Sequence, residues 1–303
     1  MKKIKLLSIL ALSTVVLGAC SALSKQSSEA SSDNKENTEQ VEKKDEAAEV
    51  KEKVTKDAEI LLDSMLTSDS ARFKKIYGET YEKWTEAVFA VQTSEKVKDD
   101  GLTPASTYSV QWHADFPIET PEETISNFLK VRRNLFQKIV NYNIKDVVID
   151  DSGNTATVTF TSKKLHSLGL ASSVRTVLTE LIGGIDNLGK YNQAGSSETV
   201  KRYQNLLSYW IFRHLYKHDF AIYSNVDANL SHVPFTKGEF DTEIKLTKDK
   251  DGNWVISQDD YKTLLSELVD RTEGYDTIDR SGLPNKKATD SSETSTDKDK
   301  SKI

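Results

Sequence analysis

The run Tyr142-Asn143-Ile144-Lys145-Asp146-Val147-Val148-Ile149-Asp150 leads through Asp151-Ser152-Gly153-Asn154 into Thr155-Ala156-Thr157-Val158-Thr159-Phe160-Thr161. Its reading decides the class of fold. The first segment is rich in β-branched residues, and in the second Ala156, Val158 and Phe160 alternate with threonines. A period of two sets one face on a core and the other toward solvent, the mark of an antiparallel sheet. Gly153 and Asn154 tolerate positive φ, so the four residues between the segments read as a hairpin turn. A second hairpin has the same grammar. Phe240, Ile244 and Leu246 alternate with Asp241, Glu243 and Lys245, and Asp251-Gly252-Asn253 turns into Trp254-Val255-Ile256. Phe220–Val226 is expected to add a further strand.

Helical signals flank these hairpins. Ala58, Leu61, Leu62, Met65 and Leu66 follow the i, i+3, i+4, i+7, i+8 rule and give one apolar stripe. Asp69 is the expected cap of a short helix through Phe73, Ile76 and Tyr77. Trp84, Val88, Phe89 and Val91 suggest a third helix. In Thr120-Pro121-Glu122-Glu123 the threonine caps, the proline suits the first helical position, and Glu123 completes a capping box. That helix is expected to bury Ile125, Phe128, Leu129, Phe136 and Ile139. Val200, Tyr203, Leu207, Trp210 and Ile211 mark a long helix, and Ser257 begins the last, with Tyr261, Leu264, Leu265, Leu268 and Val269 as its stripe. Helices and strands cluster instead of alternating as βαβ units, so the predicted class is α+β. Only 13 glycines and 5 prolines among 303 residues argue the same way, against a loop-rich all-β chain.

The ends of the chain differ from its middle. Lys2, Lys3 and Lys5 precede an uncharged stretch from Leu6 to Leu17, and small residues lead from there to Cys20. A charged start and a short apolar core ahead of small residues read as a secretory signal, too short for the roughly 20 residues of a membrane span. Leu17-Gly18-Ala19-Cys20 resembles the lipobox of bacterial lipoproteins. That resemblance implies cleavage after residue 19 and a lipid on the thiol of Cys20, the chain's one cysteine. A plain secretory signal ending by chance on a cysteine is the other reading. Residues 20–50 are polar, without an aromatic, and are expected to be a flexible tether. The folded part is then 51–275, and 276–303 form a disordered polar tail. The long tether and the lysine bias suggest a Gram-positive source.

Helices followed by the strand pair Ile144-Lys145-Asp146-Val147 and Thr155-Ala156-Thr157-Val158, then a late Asp251-Gly252-Asn253-Trp254-Val255-Ile256 strand, resemble the NTF2-like (cystatin-like) lipoproteins. The resemblance implies a curved antiparallel sheet wrapped on helices as a cone, whose mouth accepts a ligand or a partner. A helical insertion at about 165–217 departs from the short form of that fold and leaves room for two packed subdomains.

Few residues suggest chemistry. His214 and His218 stand four apart on an expected helix and are the candidates for a metal site, with Asp219 or His232 to complete it. Their other reading is two polar-face histidines whose charge suits a helix C-terminus. His113 and His166 read as surface or satisfied histidines. Asp249-Lys250-Asp251-Gly252-Asn253 lacks the terminal glutamate of a calcium loop and reads as a turn. Trp112, Tyr142 and Trp210 are the candidates for lining a ligand pocket, although aromatics at such spacing commonly belong to a core. The apolar stretch Leu165–Leu188 suits a core helix ending at Gly183-Gly184, with a membrane or partner contact as the alternative. No nucleophile-elbow, P-loop or dinucleotide fingerprint occurs, so no catalytic residue and no cofactor are predicted.

Loss of residues 1–19 removes three lysines and moves the formal charge from −6 to −9. An acidic chain does not suit nucleic acid, and membrane affinity would come from the lipid anchor. The expected function is a non-catalytic lipoprotein on the extracellular side of the cell membrane, binding a small ligand or a cell-envelope protein. The alternative is an extracytoplasmic chaperone without isomerase activity, and a metal-dependent enzyme through the two histidines is a third class. A transporter's solute-binding protein would need βα units in two lobes, which the pattern lacks.

Overall fold

The computed structural model describes residues 34–111, 117–217, 232–272 and 274–281. The chain divides into two units, residues 1–46 and 47–303. Cys20, Trp112, His113, His218, Asp219 and the expected strand Phe220–Val226 lie outside the described residues.

Helix α1, Asn34–Leu62, begins well inside the stretch expected to be a flexible tether. Glutamate, lysine, glutamine and alanine dominate its first half, and all are strong helix formers, so a polar composition here favours helix over coil. Its later turns bury Val54, Ala58, Leu61 and Leu62, and a π-helical turn, Asp63–Thr67, carries Met65 and Leu66 into the same core. Helix α2, Phe73–Tyr77, is not capped as expected. Asp69 instead accepts from the Ala71 amide at 3.3 Å, closing a local turn before the helix starts. Helix α3 is Tyr81–Asp99 and α4 is Ala105–Tyr108. Helix α5, Pro121–Phe136, has the predicted capping box: Glu123 N donates to Thr120 Oγ1 at 3.2 Å, and Thr120 N donates to Glu123 Oε2 at 2.8 Å.

Strands β1, Tyr142–Ile149, and β2, Thr155–Ser162, form the first hairpin. Strands β4, Phe240–Lys248, and β5, Trp254–Val255, form the second. Asp150 Oδ1 accepts from the Asn154 and Thr155 amides, and Asp249 Oδ1 from those of Asp251 and Asn253. Both Asp-rich runs are therefore turns. The hairpins join through β2 and β4 into one antiparallel sheet of order β1-β2-β4-β5, with Val158 opposite Ile244. Ala156, Val158, Phe160, Ile244 and Leu246 make its buried face. A register shift between Ile144 and Asp146 changes the phase of β1. Tyr142 and Ile144 face inward before it, and Val147 and Ile149 after it, because one extra residue exchanges the faces of a pleated strand. Val148 is left exposed.

The expected insertion is helical: α6 is Ser167–Leu181, α7 is Ile185–Ala194 and α8 is Glu198–Lys217. Among the described residues no single helix is long and apolar enough to cross a membrane; α6 and α7 pass that test only as a pair, bent by 102°. The bend falls at Gly183 and Gly184, both at positive φ, while Leu170, Val177, Leu178 and Leu188 are buried. Helix α8 packs on α5 and α6, and α5 also packs on α3. The last helix, α9, Gln258–Glu267, lies against β4 and is capped by Ser257 as expected, Asp260 N donating to its Oγ at 3.0 Å.

A short parallel pair, β3 at Leu165–His166 and β6 at Val269–Asp270, ties the start of the insertion to the end of the fold. His166 is fully buried and caps α6. Its Nδ1 accepts from the Gly169 amide at 3.2 Å, which leaves the proton on Nε2, 3.0 Å from Gly274 O and 3.1 Å from Thr277 Oγ1. Residues 276–281, expected to open the disordered tail, belong to the fold instead. Lys237 N donates to Thr277 O and Asp279 N to Phe235 O, each at 2.8 Å, and Asp279 pairs with Lys163. Backbone pairing and one ion pair hold a stretch whose composition alone looks unstructured.

Candidate functional site

A cleft of about 370 Å³ opens between α5, α6 and α8. Helix α6 supplies one wall as a stripe at helical spacing: Ser167, Leu170, Ala171, Val174, Arg175 and Leu178. Helix α8 supplies Ser208, Tyr209 and Phe212, and α5 supplies Phe128 and Arg132, one turn apart. Val269 and Arg271, on β6 and just after it, complete the lining. The parallel pair β3/β6 is what carries Arg271 to the start of α6.

The floor is aromatic. The Phe128 ring lies 4.6 Å from that of Tyr209, tilted by 40°, and 4.8 Å from that of Phe212, edge-on as ring quadrupoles prefer. The Arg132 guanidinium sits over Phe128, 5.5 Å from the ring centroid. Three of the chain's eight arginines line this cleft, while aspartate, glutamate, histidine, lysine and cysteine contribute nothing to it. Burial draws the pKa of Arg132 below its usual value, and the charge on Arg271 works in the same direction, against the neighbouring tyrosines Tyr261 and Tyr209. Arg271 donates one hydrogen bond, to Ser266 Oγ at 3.2 Å. Among the described residues none of the three arginines has a carboxylate partner.

The residues singled out from the sequence do not gather here. Trp210 points away from the cleft and is fully buried, its ring 4.2 Å from that of His214. Tyr142 is half-buried on β1, and its hydroxyl donates to Asp63 Oδ1 at 2.5 Å. His214 departs from a polar-face position: it is buried, 4% exposed, with Nε2 3.9 Å from Glu119 Oε1. Glu119 is itself buried and pairs with Arg213, whose guanidinium anchors it beside the histidine. Three or more His, Cys, Asp or Glu side chains do not group as a metal site among the described residues. His232 is distant in role, its Nε2 3.2 Å from Asp279 O.

Sequence reasoning passed over the arginines of the cleft. The available signal was Phe128 with Arg132, and Leu170 with Val174 and Arg175: an arginine placed at the edge of an apolar stripe on two separate helices. Such a pattern is common on amphipathic helices, and only the packing of α8 against both α5 and α6 shows that the edges meet.

No protein-family model and no curated protein matches the chain. Among solved structures it is similar to the lipoprotein candidate YcdA of Bacillus subtilis subsp. subtilis str. 168, at 18% identity and a TM-score of 0.42 over 74% of this chain. The chain spans 58% of that protein's length. A likeness of this size decides neither the fold family nor the function.

Proposed function

We propose that this chain is a lipid-anchored protein of the outer face of the cell membrane that binds a small ligand, without chemistry, in the cleft between α5, α6 and α8. One observation carries the reading: a cleft within the roughly 300–1,000 Å³ range of small-molecule sites, apolar along its walls and with a few convergent polar groups. Its hydroxyls, those of Ser167, Ser208 and Tyr209, have no base within the lining to activate them, which favours binding over catalysis. The anchor rests on Leu17-Gly18-Ala19-Cys20, and the core, an antiparallel sheet with α9 against it, is consistent with an NTF2-like variant.

The test is native mass spectrometry of protein purified from its own membranes, beside Val174→Trp, which fills the cleft. The wild type is expected to carry a small-molecule mass that the variant lacks while still melting cooperatively as a folded protein. A ligand retained by Val174→Trp would place binding elsewhere. For the anchor, Cys20→Ala is expected to lose acyl labelling and leave the membrane fraction; a variant that stays labelled overturns that part.

A further inference from the structure

The cleft is a cationic place on an acidic chain. The protein carries 47 acidic and 41 basic side chains, yet the charges lining the cleft are three guanidiniums and no carboxylate. Arg132 is half-buried against an aromatic face, and Arg271 shares the same lining, so each raises the cost of the other's charge. Arg175 and Arg271 stand at the exposed rim of the cleft, and only Arg132 is drawn into it. Arginine presents a planar fork that fits the two oxygens of a carboxylate or phosphate, and it stays charged in partly dry surroundings. Away from that cationic edge the walls are mostly hydrocarbon and ring, with Leu170, Val174 and Phe212 beside the hydroxyls of Ser167, Ser208 and Tyr209.

Resting on the cleft as the binding site, we infer that its ligand is a single-chain amphiphile with an anionic head: a tail lies along α6 and the aromatic floor, and a carboxylate or phosphate head meets Arg132 and Arg271. The charge pattern is complementary to such a molecule and opposed to a neutral or cationic one. An anionic head also relieves the repulsion between the two guanidiniums, which no carboxylate among the described residues does.

The experiment is titration calorimetry on the full chain bearing Cys20→Ala, so that its own acyl groups cannot compete. The probes are dodecanoate and dodecyl phosphate, each below its micelle concentration, and dodecanol below its solubility limit. At least one of the two anions is expected to bind about tenfold more tightly than dodecanol, as a charge-assisted hydrogen bond would give. The tighter of the two identifies the head as a free fatty acid or a phosphate lipid. Arg132→Gln and Arg271→Gln are expected to bring the anion to within about twofold of dodecanol and to leave dodecanol itself unchanged. Melting temperatures check that each variant is folded, and Arg271→Gln, at an exposed position, carries the test if Arg132→Gln is not. Equal binding of all three probes, or binding of none, overturns the anionic assignment. If Val174→Trp nevertheless abolishes binding of the three, the cleft stands as the site and only the head-group inference falls. Anion binding that survives Val174→Trp overturns both.

Discussion

The hydroxyl of Tyr81, at the first turn of α3, lies 2.7 Å from the hydroxyl of Tyr261 on α9, and both side chains are fully buried. The two residues are 180 positions apart, so the bond joins the early helices to the last one. Burial, the largest influence on each, pushes both phenols well above their ordinary pKa, so both stay protonated and one can donate to the other. Tyr81→Phe or Tyr261→Phe alone leaves a buried hydroxyl without its partner and is expected to cost about 1–3 kcal/mol. The double variant removes donor and acceptor together and should lie near the wild type. Denaturant unfolding of the four proteins checks this, and a double variant as unstable as the sum of the singles would contradict it.

Asp57 joins α1 to the sheet. Its Oδ2 accepts from the backbone amide of Trp254 at 2.9 Å and from Lys53 Nζ at 3.1 Å. The amide is buried, whereas Lys53 is largely exposed, so the two bonds differ in worth. Asp57→Ala is expected to destabilise by about 1–3 kcal/mol, because it strands a buried N–H. Lys53→Ala should cost at most about 0.5 kcal/mol, as exposed helix pairs do. Equal losses in urea unfolding would show that the ion pair, not the amide, is the contact that matters.

Two helical glycines should respond to alanine with opposite signs. At Gly169 an added Cβ would lie 2.5 Å from Pro234 Cβ and 2.9 Å from its Cγ, on a ring that cannot turn aside. Overpacking of that kind costs about 1–3 kcal/mol, more than the gain of up to about 1 kcal/mol in helix propensity. Gly169→Ala is therefore expected to lower the melting temperature and, by displacing the start of α6, to weaken ligand binding. At Gly189 on α7 a Cβ meets nothing within 4 Å and φ is ordinary, so Gly189→Ala should stabilise by about 0.5–1 kcal/mol. A shared sign for the two substitutions would refute the assigned contact.

Asp279 gives a pH dependence. The ion pair with Lys163, and then the amide of Ser281, hold its carboxyl well below the usual carboxylate range. A depressed folded value means that its stabilisation is complete above the unfolded value of about 3.9 and is lost as pH falls through the folded one. Melting curves of the wild type and Asp279→Asn should accordingly be separated at pH 5 to 7, with a gap that shrinks steadily as the pH falls below about 3.9. A gap that persists into strong acid would assign the contribution to packing instead.

Much of the fold was legible residue by residue. The two hairpins, the Thr120 capping box, the Ser257 cap and the stripe Ala58–Leu66 follow from local rules, and local geometry enforces them. Three features were not. The helical start of α1 conflicts with a composition that also suits disorder, since lysine and glutamate serve both states. The packing of residues 276–281 depends on a backbone partner, Phe235, that sequence distance hides. The phase change of β1 at Lys145 was visible only as Tyr142 and Ile144 falling out of step with Val147 and Ile149. For the candidate site the balance is reversed. Tyr142 and Trp210 stand out as aromatics, but the one holds Asp63 and the other fills the core, while nothing in the local pattern singles out Arg132, Arg175 and Arg271.

The sequence by itself determined what neighbours along the chain can decide: an α+β class, turns at Asp150 and Asp249, helix starts at Thr120 and Ser257, and a segment around Cys20 resembling a lipobox. These depend on propensity, capping and period, which act within a few residues. Only the tertiary structure decided that β2 pairs with β4 to merge two hairpins, that His166 and Asp279 lock the end of the fold, and that three arginines from separate elements share one apolar cleft. Those are encounters between residues up to 139 positions apart, as Arg132 is from Arg271. No local rule ranks them, because their free energy comes from burial and from charges meeting across helices, and both exist only once the helices have packed.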